Sequence, residues 1–333
     1  MSTGLHYIAG VSQDEAVTMQ RSKVFATTAA DNQGRFEPKD WLFFVGLSFI
    51  WGASFLLIAE SLEAFTPGFV TFGRVALGAM TLWGLRLAFK RGERLDPSDR
   101  PRVVLLGLVW VAIPFTLFPL AQQWINSAVT GLLNGATPVL VAAISVIFVR
   151  VVPRGVQLLG LMLGLVGIIL ISTGSAAGGA SQARGVLLVI VATLCYGFAI
   201  NIAPPLQAKY GAIVLMSSVL SVASFLVLPL ALINLGDNQW ETSPVVALVS
   251  LGAIGTGLAY WIMSTLVGRV GSIRSSFITY LIPVVSLVLG VSFRGDTVGS
   301  LALIGTPISL LGAFLASAPS RNPKGTDMPL RDS

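Results

Sequence analysis

Long apolar stretches separated by short polar links set the pattern of this chain. Residues 41–60, 67–89, 103–122, 128–149, 156–173, 185–203, 213–234, 244–266, 274–293 and 299–318 are almost free of charge. About twenty apolar residues in a helix cross the roughly 30 Å hydrocarbon core of a bilayer, so the pattern predicts ten transmembrane helices. The pattern also repeats. A slide of 145 residues sets Gly52, Gly107, Ser127, Pro138, Gly160, Gly167 and Ser172 on Gly197, Gly252, Ser272, Pro283, Gly305, Gly312 and Ser317, with Trp51 on Tyr196 and Val139 on Val284. Five spans per copy is an odd number, so two similar copies must cross the membrane in opposite directions. Inverted repeats are an architecture of carriers, because exchanging the conformations of the halves opens a central site to one side and then to the other. The expected fold is an all-α polytopic membrane protein with repeats over residues 41–174 and 185–318, a flexible link at 175–184, and polar tails at 1–40 and 319–333.

Composition agrees. The chain is 54% hydrophobic and 11% charged with mean hydropathy +0.82, whereas about a quarter of a soluble domain is charged. Lys and Arg are enriched in cytoplasmic loops, and placing both termini inside puts 18 of the 21 basic residues there. Only Arg184 and Arg294 then face outward, and Arg74 lies within a span. The net charge of +6 thus follows membrane topology and gives no reason to expect nucleic acid. The first 40 residues carry no apolar run, so they read as a disordered tail and not as a signal peptide; Met1 and Met19 both stand open as starts. The single cysteine, Cys195, excludes an intramolecular disulfide and reads as a small buried hydrophobe.

The segment Trp41-Leu42 through Ile50-Trp51-Gly52-Ala53-Ser54-Phe55, followed by Thr66-Pro67 and Phe72-Gly73-Arg74-Val75-Ala76-Leu77-Gly78-Ala79, resembles the EamA family of the drug/metabolite transporter superfamily. Thr137-Pro138 in the fourth span and Ile282-Pro283 in the ninth are similar to that family's repeated fourth helix. The glycines of the fifth and tenth spans, Gly160, Gly164, Gly167, Gly305 and Gly312, are similar too. The chain departs from the pattern where Val149-Arg150-Val151-Val152 and Arg294-Gly295-Asp296 replace a Gly-Glu pair, and where Tyr196-Gly197-Phe198 replaces the second Trp-Gly. The resemblance implies a transporter of the cytoplasmic membrane that exports amino acids or related metabolites.

The side chains admit little catalytic chemistry. His6, the only histidine, is in the first tail, and no acidic residue lies deep in a span, so a metal site, a Ser-His pair or a carboxylate dyad lacks its parts. The chain reads as a non-enzyme without a cofactor, its partners a small-molecule substrate and the lipid bilayer. No Gly-x4-Gly-Lys-Ser/Thr loop offers direct ATP drive. Arg74 is the exception within the bilayer: seven residues after Pro67, it sits about 10 Å from that helix start. An intramembrane charge faces a cavity or a partner, which leaves two roles open, a structural bond or a fixed cation for an anionic substrate group. Glu60, at the same end of the neighbouring span, is the expected partner when the site is empty. Pro138 and Pro283 each free a backbone carbonyl beside polar groups, Asn134 and Thr137 in one repeat, Thr279 and Tyr280 in the other. Trp51, Ser54, Tyr196 and Asn201 on the first span of each repeat are the remaining candidates for lining the site. A carrier of lipid-linked or hydrophobic cargo and a non-transporting receptor or scaffold stand as alternatives; a lone arginine disfavours cationic cargo.

Overall fold

The computed structural model describes residues 36–89, 94–149, 155–175, 179–233 and 235–317. Nine helices among them are long and apolar enough to cross a membrane: α1 (Pro38–Ser61), α2 (Pro67–Ala88), α3 (Pro97–Ala121), α4 (Ser127–Val146), α5 (Val156–Ser175), α6 (Ala180–Ile202), α7 (Pro204–Leu232), α8 (Thr242–Val270) and α9 (Arg274–Arg294). The tenth, α10 (Ser300–Ala316), is apolar but has 17 residues, about 25 Å of helix. Among the described residues there is no strand.

Each expected span is a helix, and the differences lie at the ends. α1 starts at Pro38, inside the expected tail, because Glu37 and Asp40 close a capping box around its first turn. The expected link at 175–184 is shorter than foreseen, since α6 already begins at Ala180. α7 begins at Pro204, ahead of residue 213, and bends at Gly211, whose φ of 73° no other residue type adopts easily. The first tail through residue 35, with His6 and Met19, lies outside the described residues, as do residues 176–178 and the tail from 318.

The contacts repeat with the sequence. α1 packs on α8 and α9, and its counterpart α6 packs on α3 and α4. α2 packs on α8 as α7 packs on α3, and the counterparts α2–α7, α4–α9 and α5–α10 pair with each other. The fold is therefore two inverted five-helix repeats. α5 and α10 approach closely: a Cβ on Gly160 would lie 2.3 Å from Ala316 N, and one on Gly312 2.2 Å from Gly164 N. Small residues allow such contact where lipid supplies no hydrophobic drive for helix association.

Both α3 and α8 contain a π-helical turn at matching places, Gly107–Ala112 and Ala253–Leu258. Such turns interrupt the regular carbonyl ladder and cluster at functional sites. The turn in α8 is gripped by α2, where a Cβ on Gly78 would come within 2.7 Å of Thr256 Cγ2. The turn in α3 rests on Val219 and Val222 of α7. Beside the start of α3, Asp99 accepts hydrogen bonds at 2.7 Å from both Lys209 Nζ and the Tyr210 hydroxyl of α7. The Ser98 N–H and hydroxyl hold the carboxyl of nearby Asp96 below the usual carboxylate range.

Candidate functional site

Arg74 lies on the inner face of α2 and is 7% exposed. Its guanidinium carbon sits 3.8 Å from the centre of the Phe115 ring of α3, a cation–π contact. Its Nε donates to Thr256 Oγ1 of α8 at 3.1 Å. That oxygen accepts cleanly because the Thr256 hydroxyl donates in turn to Leu251 O at 3.0 Å. Nε is the only Arg74 nitrogen that bonds a described residue, so the two Nη groups keep their donors for something else. Phe115 is itself held in place. Pro119 has no N–H to give the Phe115 carbonyl four residues back, and Thr71 Oγ1 of α2 lies 3.1 Å from that oxygen and 2.8 Å from Pro67 O.

Beside Phe115 the two repeats contribute aromatic residues that pack on one another. Trp51 of α1 meets Tyr260 of α8 edge-on with centroids 6.2 Å apart. Phe118 of α3 joins Phe55 of α1 at 5.6 Å and Tyr196 of α6 at 5.9 Å. Tyr196 and Tyr260 both pack against the apolar cluster that holds Phe115, and neither hydroxyl bonds another described residue. The slide of 145 residues pairs Trp51 with Tyr196 and Phe115 with Tyr260. Arg74 falls on Val219, which is fully buried. The charge therefore breaks an otherwise paired arrangement.

Ion pairs fasten α1 to the second repeat at both of its ends. At the N-terminal end Arg269 of α8 bonds the fully buried Asp40, and its Nη2 reaches Glu37 at 3.0 Å. At the C-terminal end Arg294 of α9 contacts Glu60 at 3.3 Å and Glu63 at 2.6 Å, and Ser243 of α8 donates to Glu60. Above this second clasp lies a cavity of about 650 Å³ lined by Glu63, Gln122, Asn126, Asp237, Arg294 and Asp296 among others. Arg74 and the rings do not line it.

The profile of the EamA-like transporter family matches residues 40–173 and 183–318. The chain belongs to that family. As an EamA protein it is a transmembrane transporter, and the two matched segments coincide with the two repeats. A protein of Archaeoglobus fulgidus described as an uncharacterized transporter is 24% identical over 83% of this chain and 98% of its own length. An S-adenosylmethionine/S-adenosylhomocysteine transporter of Chlamydia muridarum is 24% identical over 80% of this chain and 88% of its own. Its namesake in Chlamydia trachomatis is 33% identical over 36% of each chain. A solved crystal structure of a protein shares the fold, with TM-score 0.58 and 21% identity over 85% of this chain and 97% of that one.

Within this EamA fold the residues singled out from the sequence separate into two groups. Arg74 rests on Phe115, Tyr196 packs against the cluster that holds Phe115, and Trp51 meets Tyr260 of the same cluster. Ser54 lies against the π turn of α8, beside Gly255, with its hydroxyl on Ile50 O. The others sit elsewhere. At the break in α4 Thr137 Oγ1 takes the Asn134 carbonyl that Pro138 frees, at 2.6 Å, and Gly135 there meets Pro283 of α9, where a Cβ would lie 2.9 Å from Pro283 Cγ. Thr279 caps Ser276 O, and Tyr280 packs on Phe277 within 3.5 Å of Ser317 Oγ. Asn201 ties α6 to α4 through Ser145 Oγ at 2.6 Å and Val141 O at 3.3 Å. Glu60 requires a correction: it pairs with Arg294, and Arg74 rests on Phe115 and Thr256, two turns farther into the bundle. Phe115 and Thr256 were not foreseen, and Tyr260 packs against the cluster that holds Phe115. The repeat held a signal for two of these, since it sets Phe115 on Tyr260.

Proposed function

We propose that this chain is a secondary carrier of the cytoplasmic membrane, with both termini inside, that exports a small metabolite carrying a carboxylate, an amino acid or a derivative of one. The observation that carries the reading is Arg74, a buried guanidinium resting on the Phe115 ring with its Nη groups unbonded to the described residues. A charge in hydrocarbon costs at least about 2.5 kcal/mol, so its retention needs a use, and a planar fork suits a carboxylate. The rings offer apolar and π surface to the rest of such a molecule. The relatives named for S-adenosylmethionine support the same class, because that compound is an amino-acid derivative. The basic residues gathered at one membrane edge support the orientation. Under it the Arg269 clasp lies on the cytoplasmic side and the Arg294 clasp outside. The test is flux of radiolabelled amino acids and S-adenosylmethionine through liposomes holding the purified protein. Saturable flux of at least one is expected; flux at the level of protein-free liposomes across the panel would refute the reading.

A further inference from the structure

The Arg74 arrangement draws its polar groups unevenly from the two repeats. Arg74 comes from the first. Thr256, Tyr196 and Tyr260 come from the second, and their counterparts by the slide of 145 residues are Val111, Trp51 and Phe115, none of which bears a hydroxyl. Thr256 and Tyr260 are four residues apart on α8 and so share a face of that helix. The Thr256 hydroxyl has its proton on Leu251 O and its free lone pair on Arg74 Nε. A guanidinium bonded through Nε and stacked on Phe115 is fixed in plane and direction, with the Nη edge left to bind. Tyr260 packs against the apolar cluster that holds Phe115, and its hydroxyl has no bond to a described residue.

We propose that Thr256 and Tyr260 complete the anion site of which Arg74 is the centre. Thr256 is a positioning residue that aims the guanidinium, and Tyr260 donates a hydrogen bond to the oxyanion that the Nη groups hold. The proposal rests on the reading of Arg74 as the group that binds substrate carboxylate. Its consequence is that a bound carboxylate joins the repeats, since one donor stands on α2 and the other on α8. The pairing also selects charge: an ester of the same molecule gains much less from these donors than the acid does.

The test is half-saturation of flux in liposomes for L-methionine and S-adenosylmethionine, each against its methyl ester. The proteins compared are wild type, Arg74→Ala, Thr256→Val, Thr256→Ser and Tyr260→Phe. Hydrogen bonds to charged groups contribute about 1.5–3 kcal/mol, and about 1.4 kcal/mol is tenfold in affinity. Wild type should prefer acid to ester, and Thr256→Val and Tyr260→Phe should each cut that preference about tenfold. Thr256→Ser should restore it, which a merely structural role for the threonine would not require. If Arg74→Ala erases the preference while Thr256→Val and Tyr260→Phe retain it, the proposal fails and the reading of Arg74 stands. If Thr256→Ser behaves as Thr256→Val does, the hydroxyl is not what aims the guanidinium. Wild-type protein that treats acid and ester alike would overturn both.

Discussion

Arg74 has one nitrogen bonded to a described residue and two that are not, and that division separates the roles of charge and shape. Arg74→Lys keeps the charge and loses the fork; Arg74→Ala loses both. Transport of a carboxylate substrate by Arg74→Ala should fall by at least about tenfold, with the lysine variant retaining part of it, at matched amounts of inserted protein in liposome flux. The arginine was legible in the sequence because a charge within an apolar run stands out against everything around it. Thr256 and Phe115 were not, since threonine and phenylalanine are ordinary residues of membrane helices. The misassigned partner of Glu60 has a geometric cause. Glu60 and Arg74 belong to neighbouring helices, but α2 starts at Pro67 and carries Arg74 two turns inward, whereas Arg294 ends α9 level with Glu60.

Among the helices, the α5–α10 contact demands small side chains at several glycines along its length. A Cβ on Gly167 would lie 2.4 Å from Ser309 N, backbone that cannot move aside, whereas nothing lies within 4 Å of one on Gly46. Overpacking costs about 1–3 kcal/mol, so Gly167→Val should lower the melting temperature of the purified protein by several degrees. Gly46→Ala should leave it unchanged. Equal melting of the two would show that α5 and α10 do not pack on their glycines. The glycine spacing made this pair legible from the sequence. Helix ends were less so, because an apolar scan stops at a charge. Asp40 and Lys209 both lie inside helices, where Arg269 and Asp99 respectively pair with them. The carbonyl freed by Pro138 was foreseen, but not that Thr137 would take it.

At the scale of the whole molecule, ten helices and their repeat could be read from apolar length and glycine placement, while the convergence of four helices and the α8 π turn on Arg74 could not. The two clasps on α1 give the repeats something to exchange. If the carrier alternates, Arg294→Ala should raise labelling of cysteines placed at the outer ends of α1 and α9, and Arg269→Ala should raise labelling at the inner ends of α1 and α8. Shifts in the same direction for both variants would exclude opposed gates. Reporter fusions at residues 95, 180 and 325 should read inside, outside and inside. The central claim is that a carboxylate binds at Arg74 between the repeats, and ligand-induced thermal stabilisation of the purified protein measures it most directly. A ligand at 100 times its Kd stabilises the folded state by about 2.7 kcal/mol. Amino acids and S-adenosylmethionine should include at least one compound that raises the melting temperature of wild type, with its methyl ester much weaker and the effect absent in a folded Arg74→Ala. The same rise in Arg74→Ala as in wild type would place the substrate elsewhere and contradict the account.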